Sequence, residues 1–118
     1  MKLDSADTAF SNYIRTRDNW TCRRCFTQHT PPTRALHCSH YFGRNSENNR
    51  FEPDNCIALC YGCHKYFDEH NRPAYTEFKK KELGEIRLMS LEIQHNTYKK
   101  KDRKMELIKW RLALESIK

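Results

Sequence analysis

Ten residues bring together side chains that bind metals and move protons. Asn55-Cys56-Ile57-Ala58-Leu59-Cys60-Tyr61-Gly62-Cys63-His64 runs from an amide through a Cys-x-x-Cys pair directly into an imidazole. A second Cys-x-x-Cys, Cys22 and Cys25, lies upstream, and His40 lies between the two pairs. Four thiolates in two such turns match the tetrahedral set that zinc takes in structural sites. The alternative is two separate pairs, redox-active or merely buried. Four protein ligands would leave no open position for chemistry, so the expected role is a clamp between the N-terminal segment and the helix that carries His64. Asp68 follows His64 by four residues, which on a helix puts both side chains on one face. Such a pair is able to hold one divalent cation and leave positions for water and phosphate. Cys38 and Cys56 remain, and both read as small buried residues.

These groups need elements to hold them. Asp4 to Asn19 reads as a helix, with Ala6, Phe10, Tyr13 and Ile14 on one stripe and acidic residues at its start. Thr30-Pro31-Pro32-Thr33 is a loop. Ala35 to Tyr41 and Cys56 to Leu59 read as short strands. Gly43 to Asn49 is a polar, exposed connection that includes Arg44. A helix starts near Cys63, and Pro73 suits the first turn of another that reaches Leu83, where Gly84 ends or bends it. Glu85 to Lys118 has neither proline nor glycine and reads as helical. Leu107, Trp110, Leu114 and Ile117 form one stripe there; Met105, Ile108 and Leu112 form a neighbouring one. Both need a partner surface, in this domain or in a second copy of the chain. The expected class is α+β: residues 1–84 form a zinc-stapled domain, and residues 85–118 form a helical extension.

Composition narrows the function. The chain has 118 residues, 37% of them hydrophobic, and a mean hydropathy of -0.99. A core this small is commonly supplemented by a structural metal. The net charge of +7 favours a polyanionic partner, nucleic acid before an anionic membrane surface. No apolar signal segment or membrane span is visible, so a reducing cytoplasm is expected, where paired cysteines bind metal. Lys79-Lys80-Lys81 and Lys99-Lys100-Lys101, with Arg103 and Lys104, are candidates for contact with a nucleic-acid backbone. His29, His70 and His95 read as exposed and incidental, and Tyr41, Tyr61 and Tyr66 as packing residues.

With these residues in place, the chain resembles the HNH endonucleases, whose ββα-metal motif ends in an asparagine, a few residues and Cys-x-x-Cys-His. Asn55, Cys60, Cys63 and His64 stand at that spacing, and His40 stands at the first histidine. Cys38-Ser39-His40-Tyr41-Phe42-Gly43-Arg44, then Arg50-Phe51, Asp54-Asn55 and Cys60, resemble phage recombination proteins of the NinG type. The resemblance covers residues 8 to 90. It implies a small ββα-metal core and metal-dependent hydrolysis of DNA that leaves a 5′-phosphate and a 3′-hydroxyl. It implies His40 as general base, with an imidazole near its ordinary pKa, and His64 as ligand of a catalytic divalent ion. It implies Asn55 as the amide that ties down the loop behind His40, and Arg44 and Arg50 as DNA contacts. The implied setting is phage DNA processing in the host cytoplasm, with branched DNA as a narrower substrate class. A non-enzymatic zinc-dependent DNA-binding module is the alternative, and an RNA-directed nuclease a third reading.

One position departs from the family. Many members carry aspartate or histidine directly before the general base, as a second metal ligand; here it is Ser39. Asp68 is the favoured replacement, in keeping with magnesium or manganese. Cys38 and His37 are the others, with strand alternation placing Cys38 on the His40 face and His37 on the opposite one.

Overall fold

The computed structural model describes residues 3–118. Helix α1 spans Ser5–Arg17. Asp4 caps it: its carboxylate accepts from the Asp7 backbone N–H (3.1 Å), and the Asp7 carboxylate accepts from the Asp4 N–H (2.9 Å). The chain leaves α1 through Asn19 and Trp20, both left-handed, and enters the first cysteine turn.

Strands β1, Leu36–His40, and β2, Cys56–Cys60, pair antiparallel, with Leu36 opposite Cys60 and His40 opposite Cys56. A short helix α2, Tyr61–Lys65, follows directly and continues into a π-turn at Tyr66–His70. Helix α3, Arg72–His95, has Pro73 in its first turn and a kink at Gly84, whose φ of 80° and ψ of 167° are open to glycine alone. The fold is thus helical with one two-stranded sheet, in the order strand, strand, helix through Asn55 to His64.

The sheet separates two apolar clusters. On one side Leu36, Ile57, Leu59, Phe67 and Tyr75 pack with Leu83, Leu88 and Leu91 of α3. The kink at Gly84 lets both halves of α3 reach this cluster. On the other side Phe10 and Ile14 of α1 pack with Cys38, Cys56, Phe51 and Trp110.

The C-terminal region is not one helix. Residues 96–102 interrupt it before α4, Arg103–Ile117. The Asp102 carboxylate caps α4 by accepting from Lys104 and Met105 N–H. Glu47 accepts from the Lys101 N–H at 2.8 Å, and Asn48 donates to the Thr97 carbonyl at 2.9 Å. Helix propensity over 85–118 is overridden by these caps and loop contacts, which turn α4 back onto α1. There Trp110 packs 4.8 Å from Phe10, ring centre to ring centre. Leu107 is half-buried beside it, while Met105, Ile108 and Leu112 stay exposed. No described helix is long and apolar enough to cross a membrane.

Candidate functional site

The four cysteines of the two turns converge. Sulfurs of Cys22, Cys25, Cys60 and Cys63 all lie within 4.8 Å of one another. Cys25 and Cys60 sulfurs are 3.8 Å apart, the edge expected of a tetrahedron with metal–sulfur bonds of about 2.3 Å. Backbone folds the first turn: Phe26 N–H donates to the Cys22 carbonyl, and Cys22 N–H to that of Thr27. Arg23 N–H donates to the Ala58 carbonyl and Ala58 N–H to the Asp18 carboxylate, so the turn is stitched to β2. Burial pushes the Cys63 thiol up to about 12, with the neighbouring Cys60 and Cys22 adding to it. Crowded thiolates of this kind keep their charge when a cation neutralises them. The donor set is compatible with zinc.

His40 ends β1 with 7% of its surface exposed. Its Nε2 lies 3.0 Å from the Arg50 carbonyl oxygen. A carbonyl only accepts, so the proton sits on Nε2 and Nδ1 keeps a bare lone pair. Nδ1 is buried and has no hydrogen-bond partner. The sequence expectation of an ordinary imidazole is therefore corrected: burial first, then the nearby Arg44 charge, lowers the His40 pKa to about 4.

Asn55 is fully buried and occupied with backbone. Its Oδ1 accepts from the Phe42 N–H (2.9 Å), and its Nδ2 donates to the carbonyls of Phe42 (2.8 Å) and Asn49 (3.2 Å). This closes the loop after His40 onto the start of β2, the tie read from the sequence. The loop is less exposed than its polarity suggested, because Asn49 is buried and donates to the Leu91 carbonyl of α3.

His64 sits in α2 with both ring nitrogens engaged. Nε2 is 2.8 Å from Asp68 Oδ2, the one-turn pairing expected. Nδ1 is 3.0 Å from His37 Nδ1. His37 does lie on the β1 face opposite His40, but α2 packs over that face. Alternation alone could have flagged it, had the position of the helix been known. Ser39, on the same face, instead pairs with the Tyr75 hydroxyl at 2.8 Å beneath α3.

One open cleft of about 470 Å³ is lined by His40, His64 and Asp68, with Cys38, Gly43 and Arg44. Arg44 thus lines the cleft beside His40. Arg50 does not. It is 6% exposed and grips buried Asp7 with two hydrogen bonds, Nε at 2.8 Å and Nη2 at 2.5 Å. Its side chain is a strut beneath the cleft, and its carbonyl is the group that orients His40. Asp7 is the partner that sequence reading missed; its only signal was an acidic residue in the first helical turn. Lys79 is also turned inward, donating to the Asp54 carbonyl and to Glu82. Arg103 is paired with Glu47 and Asp4. Neither is a free cation for a nucleic-acid backbone. Cys38 and Cys56 are buried as expected, and with His40 they bring three potential ligand atoms within 4.8 Å of one another. His95 is not incidental: it stacks on Phe42 and pairs with the Ser46 hydroxyl.

These features define a class: a small α+β protein with a two-stranded sheet, a four-cysteine cluster compatible with zinc, and a histidine-lined cleft. The family model of the bacteriophage lambda NinG protein matches residues 3–116, and the chain belongs to that family. No curated protein and no solved structure matches it.

Proposed function

We propose that the chain is a metal-dependent endonuclease of the HNH type that hydrolyses phosphodiester bonds in DNA, in a phage recombination-related role. The observation that carries this reading is the shared cleft. His40, with its Nε2 proton fixed and its Nδ1 lone pair bare, lines the same surface as His64, Asp68 and Arg44. A base, a cation-binding pair and a guanidinium are the parts that phosphodiester hydrolysis needs.

The His40 Nδ1 atom, buried in the free protein, takes the proton of the attacking water once the site admits it. Its low basicity is a property of the free protein. A phosphate against Arg44 offsets the charge that helps depress the imidazole, so substrate raises the basicity of its own general base. Asn55 keeps the Tyr41–Phe42 backbone in place, and Arg50 supplies the carbonyl that sets the tautomer. Arg44 binds a phosphate oxygen.

His64 would hold the catalytic divalent ion, either with Asp68 on its Nε2 side or with His37 on its Nδ1 side. The separations of 2.8 and 3.0 Å both fit neighbouring ligands at right angles on an ion about 2.0–2.1 Å away. Such an ion would stabilise charge on the phosphate and the departing oxygen. The four-cysteine zinc is structural in this reading, and the exposed face of α4 is the proposed surface of a homodimer.

The test is cleavage of linear, nicked and four-way-junction DNA across magnesium, manganese, cobalt and nickel, on zinc-loaded protein. His40→Ala should abolish cleavage with folding and DNA affinity intact; unchanged cleavage would sink the mechanism and favour the binding-module alternative. Asp68→Asn should impair the magnesium and manganese reactions if the carboxylate is a ligand. His37→Gln should impair the cobalt and nickel reactions if the imidazole is.

A further inference from the structure

A second cleft, about 480 Å³, opens beside the catalytic one and shares Cys38, Arg44 and His64 with it. Three guanidinium groups gather there: Arg15 from α1, Arg34 from the segment before β1, and Arg44. Their charges are poorly matched. Among the described residues neither Arg15 nor Arg34 forms an ion pair. Arg15 is positioned by neutral groups: it donates to the Asn12 side-chain oxygen at 2.6 Å and to the Leu36 carbonyl at 3.5 Å, and lies over the Trp20 ring. Its Nε is buried without a partner. Arg44 Nε is likewise buried without a hydrogen bond, 3.9 Å from an Asp7 carboxylate that Arg50 already occupies.

We propose that this second cleft seats the phosphate next to the scissile one, held by Arg15, Arg34 and Arg44. Like charges held together around unsatisfied donors repel unless an anion sits among them, and planar guanidinium groups match phosphate oxygens two at a time. The Arg15 pKa is lowered chiefly by burial; Cys38 opposes this, and the Arg34 and Arg44 charges add to it. The shared rim gives the strand its path: from the catalytic cleft, past Arg44, across the start of β1 and onto α1. Asp7, Thr8, Ser11, Leu36, Cys38 and His64 also line the cleft. A phosphate held there positions the strand and carries no sequence information of its own. That the neighbouring phosphate is the scissile one rests on the nuclease reading; that the cleft binds nucleic-acid phosphate does not.

The experiment measures binding of fluorescein-labelled duplex by anisotropy, with full-length, zinc-loaded protein carrying His40→Ala so that the DNA stays intact. Arg15→Gln and Arg34→Gln are added singly, and Lys118→Gln removes one charge from the end of α4 as control. Each phosphate contact contributes about 0.9 to the log–log salt slope, or about eightfold in affinity at 0.1 M salt. Each arginine variant should weaken binding by about that factor and flatten the slope by about 0.9, on two duplexes of unrelated sequence alike. The lysine variant should change neither. Arg34 is exposed, so its variant reports even if Arg15→Gln unfolds, which zinc content and melting temperature reveal. Unchanged affinity and slope in folded Arg34→Gln would overturn the proposal. So would a loss confined to a polyglutamate peptide, which would point to an acidic protein instead. If arginine-dependent binding appears but wild-type protein cleaves nothing with any ion, the subsite stands and the nuclease reading falls.

Discussion

Asp7→Ala should be among the most damaging substitutions in the chain, although Asp7 touches no proposed substrate. Its carboxylate is 3% exposed and receives two hydrogen bonds from Arg50, itself 6% exposed. Burial opposes ionisation of Asp7, but the Arg50 hydrogen bonds, the Asp4 N–H and the two arginine charges prevail and hold its pKa below the usual value. Removing the carboxylate strands a buried guanidinium, which costs about 3–5 kcal/mol. It also removes half of the capping box of α1, about 1 kcal/mol more. Against a total stability of about 5–15 kcal/mol, the loss is a large fraction. At about 3–6 °C per kcal/mol for a chain of this size, melting should fall by about 12–36 °C. Urea unfolding of zinc-loaded protein, followed by tryptophan fluorescence, measures this, since Trp110 is packed against Phe10 in the same cluster. Arg50→Met combined with Asp7→Ala removes both charges and should recover much of the loss, because an apolar pair of similar volume is often no worse than a buried ion pair. A loss under about 1 kcal/mol for the single variant, or no recovery in the double, would refute the reasoning.

Chelation of zinc should unfold the Cys22–Cys63 region and abolish cooperative melting, as read by calorimetry and metal content; intact folding without the ion would remove its structural role. The acid limb of kcat/KM should lie well below pH 6.5, toward 4, and Arg44→Gln should shift it upward, as pH–rate profiles report. Linkage gives the stability consequence. Below pH 6.5 the unfolded chain binds a proton that folded His40 refuses, so stability falls as pH drops from 6.5 toward 4, by about 3 kcal/mol in all. Denaturant titrations of wild type and His40→Gln across that window measure the difference. Gly84→Ala should cost about 1–3 kcal/mol in urea unfolding through backbone strain alone, since a Cβ there meets nothing within 4 Å.

Local rules carry much of the candidate site. Cys-x-x-Cys turns present two sulfurs each because four residues close a turn, so their pairing needed only proximity. His64 and Asp68 meet because they lie one helical turn apart, across the junction of α2 and the π-turn. Asn55 was recognisable from its place before the cysteine pair. What was not legible concerns direction. Arg44 and Arg50 are the same residue type in the same polar stretch, yet one lines the cleft and the other is buried against Asp7, forty-three positions away. Lys79 begins a run of three lysines, and only it points inward, to Asp54.

The sequence by itself determined much of the short-range geometry: where the two strands and the cysteine turns fall, and which ligands lie within one turn of each other. Those depend on backbone periodicity and on side chains a few residues apart. Only the tertiary structure decided that His37 faces His64, that α4 folds back on α1, that His40 is dry enough to lose basicity, and that three arginines share a cleft. Each of these depends on which surfaces are packed together, and so on burial, dielectric environment and charges brought close from distant parts of the chain.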